Sequence, residues 1–320
     1  MVVSYTLQHT PCDLDLLLSI AHSTVNKSRI WQKIKEIAPL ADLKIRDRDL
    51  FGFGKQGRDD KRAKSNKQVS LTESEAMRVT ILGTGDAFSS GGLRQSGYLV
   101  ETQGKGLLLD CGTTTLLALK ALSIPAEWID LIAISHLHGD HFGGLSFLFL
   151  EYTYEHPRTK PLLIVGPPGT EERVRTLHST MYRELAARGT PFPLSFYEFT
   201  PGQGQTLDGF AFLPFRVPHQ EKDISLGYRV QTDGKTILYS GDCGWNEDLV
   251  THSHGTDLFI CECCYFSTQT TFHISYPQIA KQQHRLGCKC LILSHVGHEV
   301  LDRMPEVAIE CAHDGLVIDV

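Results

Sequence analysis

Seven residues constrain this chain more than any others: Ser135-His136-Leu137-His138-Gly139-Asp140-His141. The apolar run Leu131-Ile132-Ala133-Ile134 leads into them and Gly143-Gly144 follows. Four potential metal ligands therefore occupy a tight turn at the end of a strand that the run marks as buried. Imidazole and carboxylate together suit zinc, and also manganese or iron. His136 and His138 can reach one ion, leaving Asp140 and His141 to face a second. Two ions about 3.5–4 Å apart can activate water and steady the attacking and leaving oxygens of a displacement. The competing reading, a histidine-rich surface loop, does not account for the apolar strand in front.

Partners for this cluster are sought at other strand ends, where loops meet a site. His219 follows the run ending at Val217, Asp242 follows Tyr239 in Ser240-Gly241-Asp242, and His295 follows Leu291-Ile292-Leu293-Ser294. The expected sets are His136, His138 and His219 on one ion and Asp140, His141 and His295 on the other. Asp242, with a water or hydroxide, is expected to bridge the two.

The rest of the chain reads as one large domain with an appendage. From residue 77, strands are expected at Arg78–Leu82, Gly97–Glu101, Leu107–Asp110, Leu131–Ile134 and Leu162–Val165, with helices over Thr113–Leu122, through Phe147 and Leu150, and over Thr170–Ala187. Beyond Pro193 the strands 194–199, 210–217, 226–231 and 236–239 are read as antiparallel, the last two joined by a turn at Asp233-Gly234. Strands at 258–261, 290–293 and 316–318 alternate with helical stretches, which argues for sheets covered by helices. Gly166-Pro167-Pro168-Gly169 is a turn and no phosphate-cradling loop, since no Gly-Lys-Ser/Thr follows.

Residues 1–76 differ. Short helices are expected over 14–20 and 28–37, and a hinge over Ser70–Ala76. Lys44 to Lys67 holds nine Lys or Arg against four Asp or Glu; this is either a solvated linker or an arm that meets phosphates. The whole chain of 320 residues carries a net charge of −6, which gives no global sign of nucleic-acid binding. No apolar run reaches the roughly 20 residues of a membrane span, and the first residues lack the pattern of a signal peptide. Nine cysteines, several within strand-like runs, fit reduced thiols in a cytoplasmic protein. Cys261, Cys263, Cys264, Cys288 and Cys290 lack the CxxC spacing of structural zinc and are read as buried thiols. His252 and His254 are read as a loop. Arg94, in a glycine-rich loop, and His298, just past His295, are candidate substrate contacts.

These motifs, in this order, resemble the metallo-β-lactamase superfamily over residues 77–320. The resemblance implies a four-layer αββα sandwich of two mixed sheets with metals at one edge. Within the superfamily the chain is similar to the tRNase Z-like phosphodiesterases in Gly83-Thr84-Gly85, Leu109-Asp110-Cys111-Gly112, Gly166-Pro167-Pro168-Gly169, Cys261-Glu262-Cys263-Cys264-Tyr265, Phe272-His273-Ile274-Ser275 and Asp314-Gly315-Leu316-Val317-Ile318. That likeness implies that His273 acts on a phosphodiester with Glu262 behind it, so Asp140, His273 and Glu262 are the expected catalytic residues.

tRNase Z enzymes carry a tRNA-gripping arm between the strand matching Leu226–Val230 and the Ser-Gly-Asp motif. Here only Gln231 to Tyr239 fills that gap. The chain thus looks like the armless relatives: the phosphodiesterase of cyclic phosphoribose in phosphonate breakdown, or the anti-Pycsar enzymes that open cyclic nucleotides. The extra cysteine-bound zinc of the first is not expected, since Ala87–Gly92 has no cysteine. The resemblance implies two divalent ions, Zn2+ first and Mn2+ or Fe2+ as alternatives, a small phosphodiester substrate and a homodimer. The alternatives are an RNA-processing endonuclease and another superfamily hydrolase, an arylsulfatase or lactonase.

Overall fold

The computed structural model describes residues 77–320; the helices, basic stretch and hinge expected over 1–76 lie outside the described residues. The apolar runs build two sheets. The first contains β1 (Arg78–Gly83), β2 (Gly97–Thr102), β3 (Lys105–Leu109), β4 (Ile129–Ala133), β5 (Leu162–Gly166), β6 (Leu194–Glu198) and β13 (Val317–Asp319), in the order β13-β1-β2-β3-β4-β5-β6. The second contains β7 (Gln205–Leu207), β8 (Phe210–Val217), β9 (Ser225–Thr232), β10 (Lys235–Tyr239), β11 (Leu258–Glu262) and β12 (Cys290–Ser294), in the order β12-β11-β10-β9-β8-β7. Helices α1 (Thr115–Ala121), α2 (Gly139–Phe142), α3 (Leu145–Leu150), α4 (Thr170–Met181), α5 (Arg183–Arg188), α6 (Glu247–Ser253), α7 (Tyr276–Gln282) and α8 (His298–Asp302) follow individual strands.

Alternation along the strands makes the layers, because successive side chains face opposite sides. Val79, Ile81, Val100, Leu107, Leu109 and Leu131 meet Phe212, Tyr228, Val230, Ile237 and Ile260 between the sheets. The other face of the first sheet, Leu82, Leu99, Leu108, Ile132 and Ile164, packs on Leu119, Leu145, Leu148 and Val174 of its helices. The outer face of the second sheet, Leu238, Phe259, Cys261 and Leu293, packs on Leu249, Ile279 and Val300. This is the four-layer αββα arrangement, and among the described residues no helix is long and apolar enough to cross a membrane.

Two expectations are corrected. β6 is parallel to β5, not antiparallel, and belongs to the first sheet. The reason is the α4–α5 crossover between them, which returns the chain to the same end of the sheet. The helix expected over 170–187 is broken at Tyr182, whose backbone (φ −137°, ψ 67°) leaves the helical region. Two further details differ. His252 lies in α6 and stacks on Phe215 with ring centroids 4.3 Å apart, rather than in a loop. The three-residue strand β7 has no counterpart in the sequence reading.

The β9–β10 hairpin turns on Asp233 and Gly234 alone, with φ of 51° and 73°. That is the left-handed pair an Asp-Gly hairpin supplies, and it leaves no room for an inserted arm. The turn after β4 is seated by close backbone approach. A Cβ on Gly144 would run into the carbonyl oxygen of Gly112. Gly144→Ala is expected to destabilise the protein by about 1–3 kcal/mol, as overpacking does, and a thermal melt unchanged by the substitution would refute that seat.

Candidate metal centre

Every sequence-predicted ligand lies beyond the C-terminal end of a strand, Asp140 and His141 within α2, which follows β4. β4 delivers 135–141, β8 delivers His219, β10 delivers Asp242 and β12 delivers His295. His295 takes a left-handed backbone, φ 52°, to turn its ring inward. Non-glycine residues accept that conformation at a cost that surrounding structure must offset.

Three ring nitrogens meet first. His138 Nδ1 lies 3.1 Å from His136 Nε2 and 3.0 Å from His219 Nε2. The tautomers follow from the far side of each ring. His219 Nδ1 donates to the Phe272 carbonyl at 2.9 Å. His136 Nδ1 donates to Ser135 Oγ at 3.0 Å, since that hydroxyl spends its own proton on Asp110 Oδ2 at 2.7 Å. Both Nε2 atoms therefore present lone pairs to His138 Nδ1, which can carry one proton at most. Burial pushes the pKa values of all three imidazoles down, most of all for His136. Neutral rings with converging lone pairs are a cation's ligands.

The second group is acidic. Asp242 Oδ2 lies 3.3 Å from His141 Nε2 and 3.2 Å from His295 Nε2. Asp140 Oδ2 lies 3.2 Å from His141 Nε2 and 3.6 Å from His295 Nε2. Asp242 Oδ2 is also 3.9 Å from both His136 Nε2 and His219 Nε2, so one carboxylate oxygen stands between the two groups. Asp242 Oδ1, His141 Nε2 and both nitrogens of His295 are buried without a hydrogen-bond partner. Native interiors rarely tolerate such orphans, and the donor set fits divalent ions. Burial opposes charge on Asp242, but His141 and His295 outweigh it and hold the carboxyl well below its usual range. Burial likewise opposes charge on His141, yet Asp242, Asp110 and Asp140 raise it well above the ordinary value. The carboxylates thus call for a positive charge, which a metal ion would supply in place of that proton.

Behind the cluster sits a residue to which the sequence reading gave no role. Asp110, fully buried and at φ 57° just past β3, accepts four hydrogen bonds. They come from Ser135 N at 2.6 Å, Ser135 Oγ at 2.7 Å, His141 Nδ1 at 2.7 Å and Tyr239 OH at 2.5 Å. A carboxylate behind a ligating histidine fixes its tautomer and orientation. The available signal was a charged residue directly after the apolar run Leu107–Leu109, the same cue that marks the ligands.

Glu262 and His273 form a second pair of this kind. His273 Nδ1 donates to Glu262 Oε1 at 2.9 Å. Glu262, 2% exposed, also accepts from Cys243 N at 2.7 Å, Cys264 N at 3.1 Å and Ile274 N at 3.3 Å. The His273 ring is 4.9 Å from that of His219 and stacks 5.7 Å from that of His295 (centroid distances), while keeping contact with solvent. Burial works against charge on His273, but Glu262, by charge and hydrogen bond, outweighs it and raises the pKa to about 9.

Arg94 and His298 are the two expected substrate contacts. Arg94 is engaged by Asp314, which accepts its backbone N–H at 2.9 Å and lies 4.0 Å from its Nε. His298 is exposed at the first position of α8.

Two mixed sheets with helices outside, and this cluster of histidines and carboxylates, define the metallo-β-lactamase fold of a metal-dependent hydrolase. The family model described as anti-Pycsar protein Apyc1 matches residues 77–307, and the chain belongs to that family. Ribonuclease Z of Mycobacterium bovis (strain BCG / Pasteur 1173P2) is 26% identical over 239 residues, covering 68% of this chain and 85% of that protein. Among solved structures, the short form of human tRNase Z superposes with a TM-score of 0.63 at 26% identity, covering 76% of this chain and 98% of that one. The metallo-β-lactamase fold protein YhfI from Bacillus subtilis gives 0.62 at 23%, covering 76% and 99%.

Proposed function

We propose that this protein is a dinuclear phosphodiesterase that hydrolyses a small or cyclic phosphodiester. His136, His138 and His219 would hold one divalent ion; Asp140, His141 and His295 would hold the other; Asp242 would serve both. Zinc suits the donor set first, manganese or iron second. Ions held there would supply charge neutralisation and an activated water. The protein's own groups do the rest. Asp110 and Ser135 orient the histidines. Glu262 holds the His273 imidazole with its Nε2 towards the cluster, where it gives a proton to the departing alkoxide or steadies the phosphoryl oxygens.

The observation that carries this reading is the pair of buried Glu262 and half-buried His273 set against His219 and His295. Phosphodiester cleavage needs that proton because an alkoxide is a poor leaving group. Membership of the anti-Pycsar family favours a cyclic nucleotide among the candidates. A second reading, an RNA-processing endonuclease, is favoured by the likeness to Ribonuclease Z and by the basic stretch 44–67. The same proposal takes the protein to be a cytoplasmic homodimer; the described cysteines are all free, as a reducing compartment keeps them.

A panel of cyclic nucleotides, a phosphoribosyl cyclic phosphate, precursor tRNA, an aryl sulfate and a lactone tests it. Turnover confined to the cyclic phosphodiesters is expected. Cleavage of precursor tRNA alone would hand the site to the second reading, and turnover of the sulfate or lactone alone would overturn both. Metal analysis should find two divalent ions per chain. Chelation should lower the melting temperature, since an ion at about 100 times its Kd stabilises by about 2.7 kcal/mol; a melt indifferent to chelation would speak against resident ions.

A further inference from the structure

Every described cysteine except one packs in an apolar cluster. Cys111 lies among the helices of the first sheet, Cys243, Cys261 and Cys263 lie behind the second, Cys288 and Cys311 pack against that same cluster, and Cys290 against the core between the sheets. Cys264 is buried, at 5% exposure, yet belongs to none of these clusters. Its thiol instead faces the metal centre. One ligand atom each of Cys264, His273 and His295 lie within 4.8 Å of one another, close enough to hold a single ion.

The three positions are tied to one another by hydrogen bonds. Glu262 grips two of them at once, taking Cys264 N on Oε2 and His273 Nδ1 on Oε1. His295 follows β12, whose Ser294 pairs with Glu262 on β11, and the carbonyl of Cys264 accepts Gly297 N at 3.1 Å. His295 has both ring nitrogens buried without a hydrogen-bond partner; with one on the acidic group, the other takes a second cation by giving up its proton, the ring then bridging two ions as an imidazolate. His273, backed by a carboxylate on Nδ1, is built like the ligand His141 backed by Asp110, with Nε2 left to coordinate.

We propose that Cys264, His273 and His295 form a third, inhibitory position for a thiophilic cation, zinc in excess or cadmium. Thiolate and imidazole together select borderline-soft ions over magnesium or calcium. Binding forms a metal–sulfur bond and two metal–nitrogen bonds, and it releases to solvent the thiol proton, the Nε2 proton of His273 and the remaining ring proton of His295. The ion occupies His273 Nε2, the atom assigned above to the leaving group. The occupied state is therefore inactive. This consequence rests on the proposed phosphodiesterase reading; the binding itself does not.

The test is a titration of the full-length, metal-loaded protein with Cd2+, read by the ultraviolet thiolate-to-cadmium charge-transfer band and by turnover in parallel. The two main ion positions hold only nitrogen and oxygen donors, so cadmium exchanged into them gives no such band. Wild type should gain a band that Cys264→Ser lacks. Cys264→Ser should keep basal turnover and need at least about tenfold more Cd2+ for half-inhibition, since even outer partners of a metal site are worth 10–100-fold. An identical band and identical inhibition in Cys264→Ser would overturn the site. Should the serine variant fail to fold, His273→Ala must weaken the band's Cd2+ dependence by at least about tenfold, and an unshifted titration refutes the proposal. A Cys264-dependent band in a protein that turns over no phosphodiester keeps the site and sinks the phosphodiesterase reading; turnover without the band does the reverse.

Discussion

Replacing His273 by alanine is expected to cut phosphodiester turnover by about 10²–10⁴-fold, the usual worth of a placed proton donor, while both resident ions stay bound. His273 is absent from the two main ligand sets, so its loss should fall on kcat and leave metal content untouched. The pH profile sharpens the test. The folded pKa of His273 is raised to about 9, so the ring is charged at neutral pH and loses its proton as pH climbs through that value. Activity that depends on this proton declines on the alkaline side, and cations in the adjoining positions would pull that limb lower. In Glu262→Gln the opposing effect, burial, is left in control, so the limb should move to lower pH still. A His273→Ala variant with undiminished turnover, or an alkaline limb indifferent to Glu262→Gln, would remove the assigned role.

Metal-ligand candidates were legible because each breaks the same rule. A histidine or aspartate placed one to three residues beyond an apolar run is out of place in a core and in place at a strand end, and His136, His219, Asp242 and His295 all lie so. That helices cover the sheets was legible from the interleaving of helical and strand-like stretches, and the four-layer order came from the resemblance. Strand direction was not: an apolar run reads the same either way, and β6 could be oriented only by recognising the α4–α5 crossover. The break at Tyr182 carries no proline or glycine to announce it. Glu262 and His273 came through resemblance alone; nothing in the all-buried pattern of β11 singles out its last residue until Cys243, Cys264 and Ile274 are seen donating to it. The partner of Arg94 was not legible either: Asp314, which accepts its backbone N–H, lies 220 residues further along the chain.

Asp110→Asn is expected to be the most damaging single-atom change in the described residues. The substitution leaves shape and backbone alone; asparagine tolerates the left-handed φ of 57° as well as any non-glycine residue. What changes is donor count. Asp110 Oδ2 accepts from Ser135 Oγ, His141 Nδ1 and Tyr239 OH, and Oδ1 accepts from Ser135 N. An amide nitrogen at the Oδ2 position would confront three donors, so the oxygen stays there and the nitrogen meets the Ser135 N–H. The backbone donor directly before His136 is then buried and unpaired, at about 1–3 kcal/mol. The charge that holds the His141 tautomer is lost as well, and outer carboxylates of this kind are worth about 10–100-fold in metal affinity. Asp110→Asn should therefore melt lower than wild type even after chelation, and bind zinc at least tenfold more weakly, by calorimetry, when it is folded. Tyr239→Phe removes one donor and leaves the carboxylate satisfied by three, so it should show a smaller loss of the same kind. An Asp110→Asn protein that melts and binds zinc like wild type would mean that the histidine cluster is held by its strand ends alone.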